Sequence, residues 1–203
     1  MTQKDRMLAG KPYRVDETLA AHMRRTRERL HQFNLSLDAA QRQTFLRVLL
    51  GGMGENSYIE PPFRCDYGAN LYVGKNFYAN FECIVLDQCP IRIGDNVFFG
   101  PRVSLYSAGH PIDAEIRNTG LEFGKPITIG SDVWVGGDTV ILGGVTIGSN
   151  VVIGAGSVVT KDIPSGVIAA GNPCRILREI TEADRETWEA RHLEYQVSRE
   201  QDH

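Results

Sequence analysis

No stretch of the chain approaches the ~20 consecutive apolar residues of a membrane-crossing helix, and the opening MTQKDRMLAGKPYR lacks the apolar core of a secretory leader. The expected location is therefore the cytoplasm. Charge of one sign is also missing. Lys and Arg number 22 against 25 Asp and Glu, a net of −3, which excludes a general binder of nucleic acid or of anionic membranes. The four cysteines, Cys65, Cys83, Cys89 and Cys174, form no CxxC pair. Small buried thiols in a reducing compartment fit that pattern better than a disulfide framework, and the ligand spacings of a zinc site are absent. There is no P-loop, and no GxGxxG follows a strand, so nucleotide-binding folds are not expected.

What is present is enough for one domain: 203 residues, 42% of them hydrophobic. From Ile129 the sequence repeats in steps of six: IGSDVW, VGGDTV, ILGGVT, IGSNVV, IGAGSV. Ile129, Val135, Ile141, Ile147, Ile153 and Val159 open the units. A small or β-branched residue follows four places later (Val133, Thr139, Val145, Val151, Ser157). The same step occurs earlier in VGKNFY and IGDNVF. Six does not suit an α-helix. Three units make one turn of a triangular coil of short parallel strands, with the openers inside and Gly, Asn or Asp at the corners. Stacked coils bury their apolar faces against one another.

The beat slips near Cys89-Pro90 and stops from about Tyr106 to Pro126. The second break reads as a long loop thrown from one corner, and loops of that length are usually functional or disordered. Residues 1–57 lack the hexad. There the spacing of Leu19, Met23, Leu30 and Phe33 predicts a helix capped by Asp16, and a second opened by Ser36 or Asp38 and closed by Gly51-Gly52. The arginines 24, 25, 27 and 29 read as a solvated face. Residues 58–175 are assigned to the coils and 176–203 to a C-terminal helix with Trp188, His192 and Tyr195 on one stripe.

These phrases resemble the maltose and galactoside O-acetyltransferases of the hexapeptide-repeat acyltransferase superfamily. The resemblance runs through MLAGKPY, FRCDYGANLYVGKNFYANF, CPIRIGDN, GHPID, GLEFGKPITIG, VWVGG and GAGSVVTKDIP. FRCDYG, CPIRIGDN and GLEFGKP look closer to the maltose enzymes. The resemblance implies a mainly β fold, a left-handed parallel β-helix with an N-terminal helical segment and a C-terminal helix. It also implies a homotrimer that moves an acetyl group from acetyl-CoA to a sugar hydroxyl, with no metal.

Such a transfer needs a base for the hydroxyl, a donor to the developing oxyanion, and a slot for the cofactor. His110, the lone histidine of the repeat region, matches the family's base. An unperturbed imidazole titrates near ~6.5, suited to proton transfer at neutral pH. Glu122, returning on the same loop, is a candidate to orient the imidazole, and a plain surface glutamate is the competing reading. Asn80 matches the position that stabilises the oxyanion. Asp16, Asp66, Tyr78, Asn80 and Gln88 match acceptor-binding positions. Here the chain departs from the galactoside enzymes, with Asp66 in place of serine and Gln88 in place of an acid, which puts a galactoside acceptor in doubt. Trp134, Gly137, Ala155, Thr160, Lys161, Arg175 and Arg178 match the coenzyme A groove. The acceptor remains open between maltose or glucose, a galactoside and a chitooligosaccharide. A hexapeptide-fold carbonic anhydrase would need more histidines in the coils. A non-catalytic scaffold would be expected to lose His110 and the groove residues.

Overall fold

In the computed structural model, which describes residues 1–201, three parallel sheets wind into a triangular prism. One face, polar outside, stacks Gly52–Met53, Leu71–Val73, Ile91–Ile93, Ile127–Ile129 and Thr146–Ile147. A second, aromatic face stacks Tyr58–Ile59, Tyr78–Ala79, Phe98–Phe99, Val133–Val135, Val151–Ile153 and Val167–Ala170, the last joined by antiparallel Arg175–Glu179. The third, aliphatic face stacks Phe63–Cys65, Cys83–Leu86, Ser104–Tyr106, Val140–Leu142 and Val158–Val159.

The hexad explains this shape. Ile129, Val135, Ile141, Ile147, Ile153 and Val159 are each at most 2% exposed, and Val133, Thr139, Val145, Val151 and Ser157 are buried beside them. Each fully buried aliphatic side chain contributes ~1.5–3 kcal/mol. In the upper coils, partners such as Trp134 and Val152 lie 18 residues apart, three whole hexads. In the lower coils, Tyr58 and Tyr78 lie 20 apart. The extra residues collect at the corner between the aliphatic and polar faces.

Another corner carries a ladder of left-handed residues. Asn56, Asn76, Asn96, Asp132 and Asn150 all have φ between 54 and 59°. Their side chains bond upward, Asn76 Nδ2 to Asn96 Oδ1 and Asn96 Nδ2 to Asp132 Oδ1, both at 2.8 Å. Asn tolerates this backbone region because its short amide bonds locally.

Below the prism lie α1 (Gln3–Leu8), α2 (Glu17–Leu35) and α3 (Ala39–Leu49). Asp16 caps α2 and Asp38, rather than Ser36, caps α3. Leu30, Phe33, Leu46 and Leu49 join the main core, while Met23 stays partly buried because it packs with a satellite cluster of Met7, Tyr13, Leu19 and Tyr67. The four arginines of α2 are exposed.

Two boundaries and the content of the loop differ from the sequence expectation. The first strand begins at Gly52, ahead of residue 58, because Gly52 and Met53 pair with Tyr72 and Val73. The break in the hexad holds structure of its own, a short hairpin and the helix α4 (Ala114–Asn118) capped by Asp113. After the coils a strand runs to Glu179 before α5 (Glu182–Gln201) starts, and Trp188, His192 and Tyr195 are exposed on that helix. All four cysteines are free and buried.

Candidate active site

Two edges of the prism hold the expected residues. The first lies between the aliphatic and polar faces. There the chain leaves its regular path three times: at Asp66–Asn70, at Asp87–Pro90, and at the loop after Tyr106.

Asp87 explains the second departure. Its side chain is 0% exposed. Oδ1 accepts the backbone N–H groups of Asp66 (3.1 Å) and Tyr67 (2.9 Å), and Oδ2 accepts that of Asn70 (3.3 Å). The carboxylate thus replaces the partners that three turn amides would otherwise lack. Burial pushes the Asp87 carboxyl up to about 7, against the opposing pull of those N–H groups. Next to it, Gln88 Nε2 donates to Asp66 Oδ2 at 2.7 Å. Burial raises the Asp66 carboxyl too, while the Gln88 bond pulls it down. Gln88 is 8% exposed and its Oε1 has no protein partner among the described residues. Asp87 and Gln88 therefore fix both the backbone and the carboxylate of Asp66.

A raised acid has a definite signature. Between pH 3.8 and about 7 the native Asp87 keeps a proton that the unfolded chain has released. Its contribution to stability is present at the acid end and lost as pH rises. Relative to Asp87→Asn, the wild type is expected to lose melting temperature as pH goes from 5 to 8. Parallel curves for the two proteins would contradict this.

His110 stands at the start of the loop, exposed, and no hydrogen bond reaches it from the described residues. The preceding Ala108–Gly109 pairs antiparallel with Phe123–Gly124. Continuing that register by one residue sets His110 opposite Glu122. The Glu122 carboxylate, however, is held by Tyr13, whose phenol donates to Oε2 at 2.6 Å. Burial and this carboxylate raise the Tyr13 hydroxyl far above its ordinary value, so it stays a donor. Asp16, also on the N-terminal arm, is exposed and spends Oδ1 on the Leu19 N–H at 2.9 Å.

The second edge lies between the aromatic and aliphatic faces. Asn80 sits here, its backbone N–H bonded to Phe99 O at 3.0 Å. Its Oδ1 accepts from Phe81 N at 2.8 Å, which leaves the amide donor Nδ2 without a protein partner among the described residues. Above it come Gly136, Gly137, Ala155 and Gly156. A Cβ at Gly136 would meet Ala155 N at 2.5 Å, and one at Gly137 would meet Pro101 O at 3.0 Å. These glycines are needed first for the coils to stack, and they leave a narrow strip of small residues along the edge. Tyr78 and Trp134 flank it on the aromatic face, Trp134 58% exposed.

The remaining residues expected to meet the cofactor are scattered. Thr160 and Lys161 are exposed at the first edge, just past Val158–Val159. Arg175 lies beside Ala170 at the upper end of the aromatic sheet. Arg178 is already forked onto Asp184, at 2.6 and 2.7 Å. One chain therefore brings His110, Glu122, Asp66, Gln88 and Asp16 to one side, and Asn80, Tyr78, Trp134, Gly137 and Ala155 to another. Tyr13, Tyr67 and Asp87 were not singled out from the sequence. Asp87 had a signal, the slipped hexad; Tyr13 and Tyr67 belong to no repeat.

Among the described residues, no group of three or more His, Cys, Asp or Glu could hold a metal ion, and no helix is long and apolar enough to cross a membrane.

Family models agree with this architecture. The maltose acetyltransferase hexapeptide capping motif matches residues 6–54, and the bacterial transferase hexapeptide model (six repeats) matches 126–161. Galactoside O-acetyltransferase of Escherichia coli (strain K12) is 44% identical over 188 residues, 91% of this chain and 93% of its own. A crystal structure of a maltose O-acetyltransferase from Clostridium difficile 630 superposes with a TM-score of 0.88 at 50% identity, covering 89% of this chain and 98% of that one. A galactoside acetyltransferase solved in complex with coenzyme A gives 0.88 at 44% identity, covering 91% and 94%. The chain belongs to the maltose and galactoside O-acetyltransferase family of hexapeptide-repeat acetyltransferases.

Proposed function

We propose that this enzyme transfers an acetyl group from acetyl-CoA to a hydroxyl of a maltose- or glucose-type sugar, with His110 as general base. The observation that carries the reading is the arrangement at the first edge. A histidine-bearing loop is inserted at the corner where Asp66 is fixed by Asp87 and Gln88.

His110 takes the proton of the sugar hydroxyl as that oxygen attacks the thioester carbonyl carbon. When the carbon–sulfur bond breaks, the same imidazole returns the proton to the sulfur. Asn80 Nδ2 donates to the carbonyl oxygen as negative charge grows there. Its orientation suits the task, because Phe81 N–H already occupies Oδ1. Asp66, Gln88, Asp16 and Tyr78 receive the sugar, and a carboxylate can accept from two neighbouring hydroxyls at once. The unpartnered Gln88 Oε1 is a further acceptor for a hydroxyl.

Coenzyme A would lie along the strip of Gly137 and Ala155 beside Trp134, a floor with few side chains to obstruct a thin pantetheine arm. Lys161, Thr160 and Arg175 would meet its polar parts. Arg178 can join them only by sharing its fork with Asp184.

The separation of the two edges supports a homotrimer. Tyr78, Phe98, Trp134 and Val152 project from one face and Ile84, Val140 and Val158, with Arg64 below them, from the next, while the third shows Tyr72, Arg92, Thr128 and Thr146. Two different apolar faces suit head-to-tail contacts that close a ring. Each site would then combine the first edge of one chain with the second edge of its neighbour.

Asn80→Ala should lower kcat about 100-fold, the usual order for one oxyanion donor, with little change in KM for acetyl-CoA. Steady-state kinetics decide; an unchanged kcat would remove Asn80 from the mechanism.

A further inference from the structure

Tyr13 is buried to 1% exposure in the satellite core with Met7, Leu19 and Tyr67. The arm around it is knitted to α1: Arg6 Nε donates to Pro12 O (2.6 Å), and Arg14 N donates to Gln3 Oε1 (2.9 Å). Helix α1 is itself closed by the capping box of Thr2 and Asp5. The arm also presses on the loop. A Cβ at Gly10 would meet Gly124 O at 3.1 Å.

From this anchored position Tyr13 grips Glu122 three times. Tyr13 N donates to Glu122 O at 2.9 Å, and Glu122 N donates to Tyr13 O at 3.0 Å. The phenol adds the 2.6 Å bond to Oε2. On its other side the same loop strand is paired with Ala108–Gly109, with Lys125 N bonded to Ser107 O at 2.8 Å. Glu122 is thus the middle of a three-stranded patch whose outer members are Tyr13 and the residues leading into His110. Glu122 turns both of its backbone groups toward Tyr13, so in this register 110 with 122 falls on the non-hydrogen-bonded, closer-spaced type. Among the described residues no hydrogen bond fixes His110 itself.

We infer that Tyr13 is a positioning residue for the transfer reaction, holding the His110 loop in place through Glu122. The inference rests on the reading of His110 as the base. The chain's N-terminal arm then does more than cover the end of the prism: it sets Asp16 and, across the bridge, the loop of the base.

Tyr13→Phe removes one oxygen and keeps the ring. We expect its melting temperature to stay close to wild type, with faster hydrogen exchange across residues 108–124. In kinetics we expect kcat to fall about tenfold, the net worth of one hydrogen bond, and KM for acetyl-CoA to stay within about twofold. Because the path runs through Glu122, Tyr13→Phe combined with Glu122→Gln should be no slower than Glu122→Gln alone. Unchanged exchange in the loop overturns the inference. So does a loosened loop with wild-type kcat, and so do losses that multiply in the double variant. A wild-type protein that acetylates no sugar defeats the reading of the function instead, and the exchange measurement still reports whether Tyr13 holds the loop.

Discussion

His110→Ala is expected to lower kcat/KM for acetyl transfer about 1000-fold, the middle of the range for a lost general base. The fold should be untouched. His110 is exposed and receives no hydrogen bond from the described residues, and exposed substitutions of this kind change stability by no more than about 0.5 kcal/mol. The loss should fall on kcat, because the proton moves only as the hydroxyl attacks. Steady-state kinetics beside a thermal melt separate these effects. A variant that melts like wild type and works like wild type would show that the base lies elsewhere.

The second large effect concerns where the halves of the site come from. Asn80 and His110 stand at different edges of one prism, so a working site would draw them from neighbouring chains. His110→Ala and Asn80→Ala should each be nearly inactive alone. Coexpressed with different tags and purified through both, each mixed assembly of the proposed trimer contains one variant twice and the other once. Going round such a ring, the ordered pair of an Asn80→Ala chain followed by a His110→Ala chain occurs once. That pair supplies an intact His110 and an intact Asn80 to the shared site. Mixed trimers should therefore recover about one third of wild-type activity. Recovery no greater than the separate variants would mean that both residues serve the same site from the same chain.

The fold was legible because one physical constraint repeats. An inward aliphatic residue every six places, with Gly, Asn or Asp at the corner, leaves the coil few alternatives, and the six unit openers from Ile129 to Val159 are all buried as that pattern requires. The same regularity made its exceptions readable. The slipped beat at Cys89-Pro90 marks where Asp87 turns inward to hold three backbone amides, and the longer break marks the His110 loop. Helix α1 went unread because it spans only Gln3–Leu8 and has no room for helical periodicity, although Thr2 and Asp5 spell a capping box. The partner of Glu122 was unreadable for a different reason. Tyr13 lies 109 residues away, on an arm outside the repeat, and nothing local to either residue announces the pairing. Spacing within the loop suggested a bond to His110; the fold puts a buried phenol there first.

Acetyl transfer to a sugar with His110 as base is read out by release of free coenzyme A from acetyl-CoA, measured against maltose, glucose, galactosides and chitooligosaccharides. We expect maltose or glucose to drive release, an acetylated sugar to appear as the second product, and His110→Ala to lose nearly all of both. Folded protein that releases no coenzyme A with any of these sugars would contradict the proposed transfer. Release that survives unchanged in His110→Ala would contradict the assignment of the base.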